Sequence, residues 1–127
     1  MIVMDIPELI QQSNGFEQFN PMQQLVLQST WQQHNLVVAS PTASGKTIIA
    51  ELTGLNSILN NRKKAMYTCP LRALASEHFN DFQKKYSKQQ NIRMAVSTGD
   101  MDSSSKYLSQ YDFIFTTYEK LNSLLVH

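Results

Sequence analysis

A chain of 127 residues is long enough for one small domain with a buried core and too short for two full-size domains side by side. Apolar residues make up 42% and charged residues 17%, with no long stretch of like charge, which is the composition of an ordinary globular protein rather than of a disordered tail. The formal net charge of +1 excludes a general basic field, so any contact with nucleic acid must come from individually placed residues. Cys69 alone cannot form an internal disulfide, and the opening MIVMDIPELI has neither the basic start nor the apolar run of a signal peptide. No stretch approaches the roughly 18 continuous apolar residues that cross a bilayer. These features predict an intracellular protein without a membrane segment.

Taken in order, Asn20-Pro21 reads as a helix cap followed by proline at the first helical position, and predicts a helix to about residue 31. Leu36-Val37-Val38-Ala39 is a short apolar run that predicts a strand. It leads into Pro41-Thr42-Ala43-Ser44-Gly45-Lys46-Thr47, a turn rich in small and hydroxyl residues. Ile48, Ile49, Leu52, Leu55 and Leu59 then recur at helical spacing, with Asn60-Asn61 as a stop, so residues 46 to about 59 should be an amphipathic helix. Residues 65–69 predict a second strand. Beyond Pro70, the spacing of Leu71, Leu74, Ala75, His78, Phe79, Phe82 and Tyr86 predicts a helix with one apolar face. A third strand is expected over 92–97, a short helix at the serine cluster 103–105, a fourth strand over 113–116, and a last helix carrying Leu121, Leu124 and Leu125. Strands alternating with helices imply an α/β fold around a mostly parallel sheet.

The loop after the first strand carries the most chemistry. A strand, a glycine-containing turn ending Gly45-Lys46-Thr47 and a helix together make the setting of a phosphate-binding loop. Backbone N–H groups of such a loop and of the first helical turn converge on one anion, and the helix dipole adds positive potential there. Gly45 permits close approach, Lys46 would reach the β and γ phosphates, and the Thr47 hydroxyl would ligate Mg²⁺. Ser40 stands where such loops usually begin with glycine. A chance Gly-Lys-Thr in a surface turn is the structural alternative.

Three further segments select a family. Gly15-Phe16-Glu17-Gln18-Phe19-Asn20-Pro21-Met22-Gln23 precedes the loop; Thr68-Cys69-Pro70-Leu71-Arg72-Ala73-Leu74 follows the second strand; Ser97-Thr98-Gly99-Asp100 and Thr116-Thr117-Tyr118-Glu119-Lys120 follow the third and fourth. With the phosphate loop and in this order, they resemble the opening part of the first motor domain of superfamily 2 helicases. The likeness is to the superkiller-like branch, which includes archaeal DNA repair helicases and polymerase-theta relatives, and it runs from about Gly15 to Leu125. It implies a partial RecA-like three-layer fold, with residues 1–127 as the N-terminal portion of that domain. It also implies ATP and Mg²⁺ at Pro41, Thr42, Ala43, Ser44, Gly45, Lys46 and Thr47, with Gln23 reading adenine. A carboxamide can both donate to and accept from the adenine edge. Pro70, Leu71, Arg72, Thr98, Gly99, Asp100 and Thr117 are implied to grip the backbone of a single nucleic-acid strand, with DNA favoured over RNA. Each of these segments sits at the carboxyl end of a strand, where ligands gather in open parallel sheets.

The remaining charges read as structural. Arg62-Lys63-Lys64 precedes the second strand, at the opposite end of the sheet from these motifs, and is expected to be solvated surface. Lys84, Lys85 and Lys88 fall at a helix C-terminus, where cations offset the dipole. His78 has no partners at metal-ligand spacing, and Cys69 reads as a small buried apolar residue. Family members hydrolyse ATP with a D-E-x-H segment on a later strand and with arginines of a second motor domain. No segment here matches the former, so the chain by itself is expected to be inactive and to need the remainder of a helicase chain. A cut after the fourth strand is further expected to leave a sheet edge uncovered and to favour self-association. A non-catalytic module binding nucleic acid or protein, and a small phosphate-loop kinase, are the competing readings.

Overall fold

The computed structural model describes residues 5–29, 31–32, 45–87, 90–98 and 108–126. The strand expected at 36–39, loop residues 41–44, Gly99 and Asp100, Lys88, and the short helix expected at 103–105 lie outside the described residues. The chain forms two compact units, Met1–Arg62 and Lys63–His127.

The described residues of the first unit form three helices. Helix α1, Ile6–Asn14, starts where the Asp5 carboxylate accepts from the Glu8 N–H, and it ends at Gly15, whose φ of 73° sets the left-handed cap. Its buried residues Ile6, Leu9 and Ile10 follow helical spacing. Helix α2, Pro21–Gln28, opens on a capping box: the Asn20 side chain accepts from the Gln23 N–H while the Gln23 side chain accepts from the Asn20 N–H. The helix ends three residues earlier than its sequence spacing implies, because Ser29 turns extended and its N–H and hydroxyl both donate to the Val26 carbonyl. Helix α3, Lys46–Leu55, runs on into a π-helical turn, Asn56–Asn60, that closes with the Asn61 N–H on the Asn56 carbonyl at 3.2 Å. The Asn60-Asn61 stop therefore acts where the sequence places it. Both α1 and α2 pack against α3, whose Ile49, Leu52 and Leu55 are buried.

In the second unit three strands form an all-parallel sheet in the order β1-β3-β2: β1 is Ala65–Cys69, β2 Met94–Ser97 and β3 Phe113–Thr117. Central β3 is buried at all five positions, and its sequence FIFTT has the uninterrupted character of a strand covered on both faces. Between β1 and β2 the chain makes α4, Arg72–Phe82, which continues into a second π-helical turn, Gln83–Ser87. After β3 comes α5, Tyr118–Val126. The core between α4 and the sheet is aromatic. Phe113 and Phe115, two residues apart on one face of β3, stack at 4.7 Å. Phe82 meets them edge-on, with ring centroids 5.4 and 5.2 Å away, and meets Tyr67 and Tyr86 in the same manner.

The amino edge of the sheet is tied by polar groups. The Asp112 N–H donates to the Arg93 carbonyl at 2.8 Å, and the Asp112 carboxylate accepts from the Arg93 N–H at 3.0 Å. Lys64 is exposed, as its reading as solvated surface expects, and its ammonium also donates to the Ser109 and Tyr111 carbonyls, each at 2.6 Å, holding the turn that enters β3. Lys85 pairs with Asp81 at 2.9 Å, one helical turn away.

Because fully buried Phe82 meets five other rings, those of Tyr67, His78, Tyr86, Phe113 and Phe115, Phe82→Ala should destabilise this unit by about 3–5 kcal/mol. Phe82→Leu, which retains more of the volume, should cost less; urea denaturation of both variants checks the order.

Candidate functional site

In the first unit the described part of the phosphate loop is its last residue and the helix it opens. Gly45 takes φ 86° and ψ 25° as the N-cap of α3, a left-handed conformation that favours glycine. Space imposes the same choice: a Cβ on Gly45 would lie 2.4 Å from Gln23 Nε2 and 3.0 Å from Asn20 Nδ2. No side chain caps α3, and its first turn carries no acidic residue. Lys46 is exposed and Thr47 half-buried on that turn. A helix start with a flexible cation, a hydroxyl and no competing carboxylate suits an anion.

Gln23, 22 residues earlier in the chain, is brought to this point. It is 5% exposed, and its Nε2 donates to the Gly45 carbonyl at 3.1 Å while its Oε1 accepts from the Asn20 N–H at 2.9 Å. The Gly45 carbonyl also accepts from the Ile48 N–H at 3.2 Å. Of the nucleotide residues read from the sequence, Gln23, Gly45, Lys46 and Thr47 are thus gathered at the start of α3; Pro41, Thr42, Ala43 and Ser44 lie outside the described residues. Two neighbours were not singled out by sequence reasoning. Fully buried Glu51 on α3 accepts from Asn14 Nδ2 at 3.1 Å, and Asn14 also donates to the Ile10 carbonyl. Nothing local in the sequence pairs residues 37 positions apart.

In the second unit the register aligns the three strand ends. Cys69 pairs with Thr117, and Thr116 lies between Thr68 and Ser97. Pro70 and Leu71, Thr98, and the start of α5 therefore emerge at one edge of the sheet. Arg72 is the first residue of α4, exposed, on a helix start with no side-chain cap and no acid in the first turn. Leu71 and Tyr118 are also well exposed, at 65% and 58%. Thr117 is buried, and its hydroxyl accepts from the Lys120 N–H at 3.2 Å, which caps α5. Thr116 donates to the Ser97 carbonyl at 2.6 Å, while the buried Ser97 hydroxyl has no hydrogen-bond partner among the described residues. Gly99 and Asp100 lie outside the described residues. Burial pushes the Cys69 thiol above its ordinary value, so it stays neutral. The His78 ring lies against Tyr67, with centroids 4.7 Å apart, as an edge member of the aromatic core. Among the described residues no helix is long and apolar enough to cross a membrane.

The DEAD/DEAH box helicase family profile matches residues 20–127, and the chain belongs to that family. It is similar to proteins named ATP-dependent DNA helicase Hel308. The one from Caldivirga maquilingensis is 46% identical over 107 residues, covering 84% of this chain and 14% of the relative. Those from Pyrococcus abyssi and Thermococcus kodakarensis are 40% and 43% identical, over 96% and 89% of this chain. The chain spans only 10% to 17% of the length of these relatives.

Gly15 and Gly45, both left-handed, separate strain from crowding. Gly15 has φ 73° and nothing within 4 Å of an added Cβ, whereas Gly45 has both the angle and the clash. Gly15→Ala should cost about 1 kcal/mol of stability from backbone strain alone. Gly45→Ala should cost about 1–3 kcal/mol and exceed it, as measured by urea denaturation of the two variants.

Proposed function

We propose that residues 1–127 are the N-terminal portion of the first RecA-like motor domain of an ATP-dependent superfamily 2 DNA helicase. In this reading the first unit contributes nucleotide contacts and the second contributes contacts to a single DNA strand. The observation that supports it is the hydrogen bond from Gln23 to Gly45: the carboxamide read here as the base-recognising group lies beside the helix start that bears Lys46 and Thr47. The fit to ATP rests on the same geometry. At Gly45 a Cβ would fill the space that the side chain of Gln23 occupies, and α3 presents an uncapped start without acidic residues. Thr42, Ala43, Ser44 and Gly45 would surround the phosphates with backbone N–H groups, with Pro41, which has no N–H to give, opening that loop; Lys46 would hold the β and γ phosphates, and the Thr47 hydroxyl would ligate Mg²⁺. Bound there, Mg²⁺ would supply neutralisation of phosphate charge.

The strand-end residues Pro70, Leu71, Arg72, Thr98, Gly99, Asp100 and Thr117 would hold DNA phosphates without reading sequence, Arg72 as a charged partner and Thr117 through the proton its hydroxyl retains. The names of the relatives favour DNA over RNA. The carboxylates that activate water and the arginines that complete the ATP site would come from the remainder of the helicase chain, and the protein would act inside the cell. Hydrolysis coupled to translocation is the activity of that whole.

Calorimetry with ATP and Mg²⁺ should show binding that GTP competes for weakly and that Lys46→Ala abolishes; equal competition by GTP would remove adenine recognition from this reading. For the second unit, Arg72→Ala should weaken binding of single-stranded DNA to a similar degree for any sequence, and should lower the slope of log affinity against log salt by about 1. Fluorescence anisotropy across a salt series, with two unrelated oligonucleotides, measures both.

A further inference from the structure

The carboxamide of Gln23 is held at both ends by groups that cannot exchange roles. The Asn20 N–H can only donate, and it meets Oε1 at 2.9 Å; the Gly45 carbonyl can only accept, and it meets Nε2 at 3.1 Å. Turning the amide over would set donor against donor and acceptor against acceptor. The remaining half of the box, Asn20 Oδ1 accepting from the Gln23 N–H at 2.8 Å, fixes the first turn of α2 and so keeps the Asn20 N–H where Oε1 needs it. The Asn20 side chain also approaches Gly45 closely, since its Nδ2 lies 3.0 Å from the place a Cβ would take there.

We infer that Asn20 is a positioning residue that fixes which way the Gln23 carboxamide faces and thereby sets the preference for adenine over guanine. The inference rests on the reading of Gln23 as the base-recognising residue. With its polarity fixed, the amide has one lone pair on Oε1 and one N–H on Nε2 left for a ligand. Adenine offers the matching pair, the N6 donor beside the N7 acceptor; guanine offers two acceptors, O6 and N7, and would set O6 against Oε1. Loss of the Asn20 side chain leaves the backbone N–H of residue 20 but removes the Oδ1 cap that holds the first turn of α2; once that turn loosens, the N–H no longer meets Oε1 squarely, and the amide can swing its NH₂ group toward both guanine acceptors, so Asn20→Ala should help GTP relative to ATP.

The test is the ratio of ATP to GTP affinity, measured by titration calorimetry on the full chain with Asn20→Ala, Asn20→Asp and Gln23→Ala. Asn20→Ala should lower the ratio about tenfold, while Asn20→Asp, which keeps the cap acceptor, should retain it. A residue that only stabilised α2 would weaken both nucleotides together and leave the ratio unchanged, which would overturn the inference. Gln23→Ala separates the two levels: if it leaves the ratio intact, base reading by Gln23 fails; if it collapses the ratio and Asn20→Ala does not, only the positioning role fails. A readout without nucleotide comes from hydrogen exchange of the Gln23 side-chain NH₂ by NMR. Exchange should be slow in the parent chain and in Asn20→Asp and fast in Asn20→Ala; equal rates in all three would also overturn the inference.

Discussion

One carbonyl organises the first unit. The Gly45 oxygen accepts from Ile48, one turn into α3, and from the side chain of Gln23 in the first turn of α2. Two helix starts are thereby tied to a single atom, and that atom is in place only because residue 45 holds a left-handed φ that glycine adopts at little cost. Asn14 makes a comparable link from the end of α1 to Glu51, which lies within α3 and is fully buried. Helix α3 is consequently fixed by directional bonds from both neighbours as well as by burial of Ile49, Leu52 and Leu55. Apolar contacts alone tolerate sliding and rotation; two hydrogen bonds at different heights along the helix set its register.

The second unit distributes its interactions differently. Aromatic packing under α4 supplies the non-directional part, with Phe82 against Phe113 and Phe115. The polar groups at the amino edge are engaged with one another, through Asp112 with Arg93 and through Lys64 with two turn carbonyls. At the carboxyl edge the balance shifts: α4 starts without a side-chain cap, and Leu71, Arg72 and Tyr118 face solvent. In a parallel sheet every strand directs its carboxyl end the same way, so the exposed side chains that follow the strands gather at one edge, the edge to which the proposed function assigns DNA.

This division explains what could be read from the sequence. Strand β1 was legible to the residue and β3 to within one, because each is a short, largely apolar run bounded by polar or turn residues; β3 is buried throughout, whereas in β1 only Cys69 is. The length of α3 with its π-helical turn followed from leucine and isoleucine spacing and from Asn60-Asn61. Helix α1 was not identified, although Asp5 at its start and Gly15 at its end are ordinary boundary signals, because only three of its positions are buried. Strand β2 begins at Met94 rather than at 92, since the exchange between Arg93 and Asp112 sets the edge of the ladder and involves a residue far along the chain. Non-local bonds of this kind were the least legible: the capping pattern Asn20-x-x-Gln23 is local, but the reach of Gln23 to Gly45, the partner of Glu51 and the role of Lys64 depend on the folded chain.

The side chains proposed to meet ligands share one physical property. Gln23 is bonded through one valence at each end of its amide, and Thr117 accepts one hydrogen bond from the start of α5; each keeps a further donor or acceptor. A group already held by the protein has lost most of its rotational freedom during folding, so a ligand that completes it need not bear that ordering cost. The stability of the fold carries it instead, so in each unit taken by itself the bonds that define a helix start, of α2 in one and of α5 in the other, also define the direction in which the proposed contact can donate and accept. Under the proposed function, selectivity would follow from geometry present before any ligand arrives: what would bind best is the group whose donors and acceptors complement those that the fold leaves open.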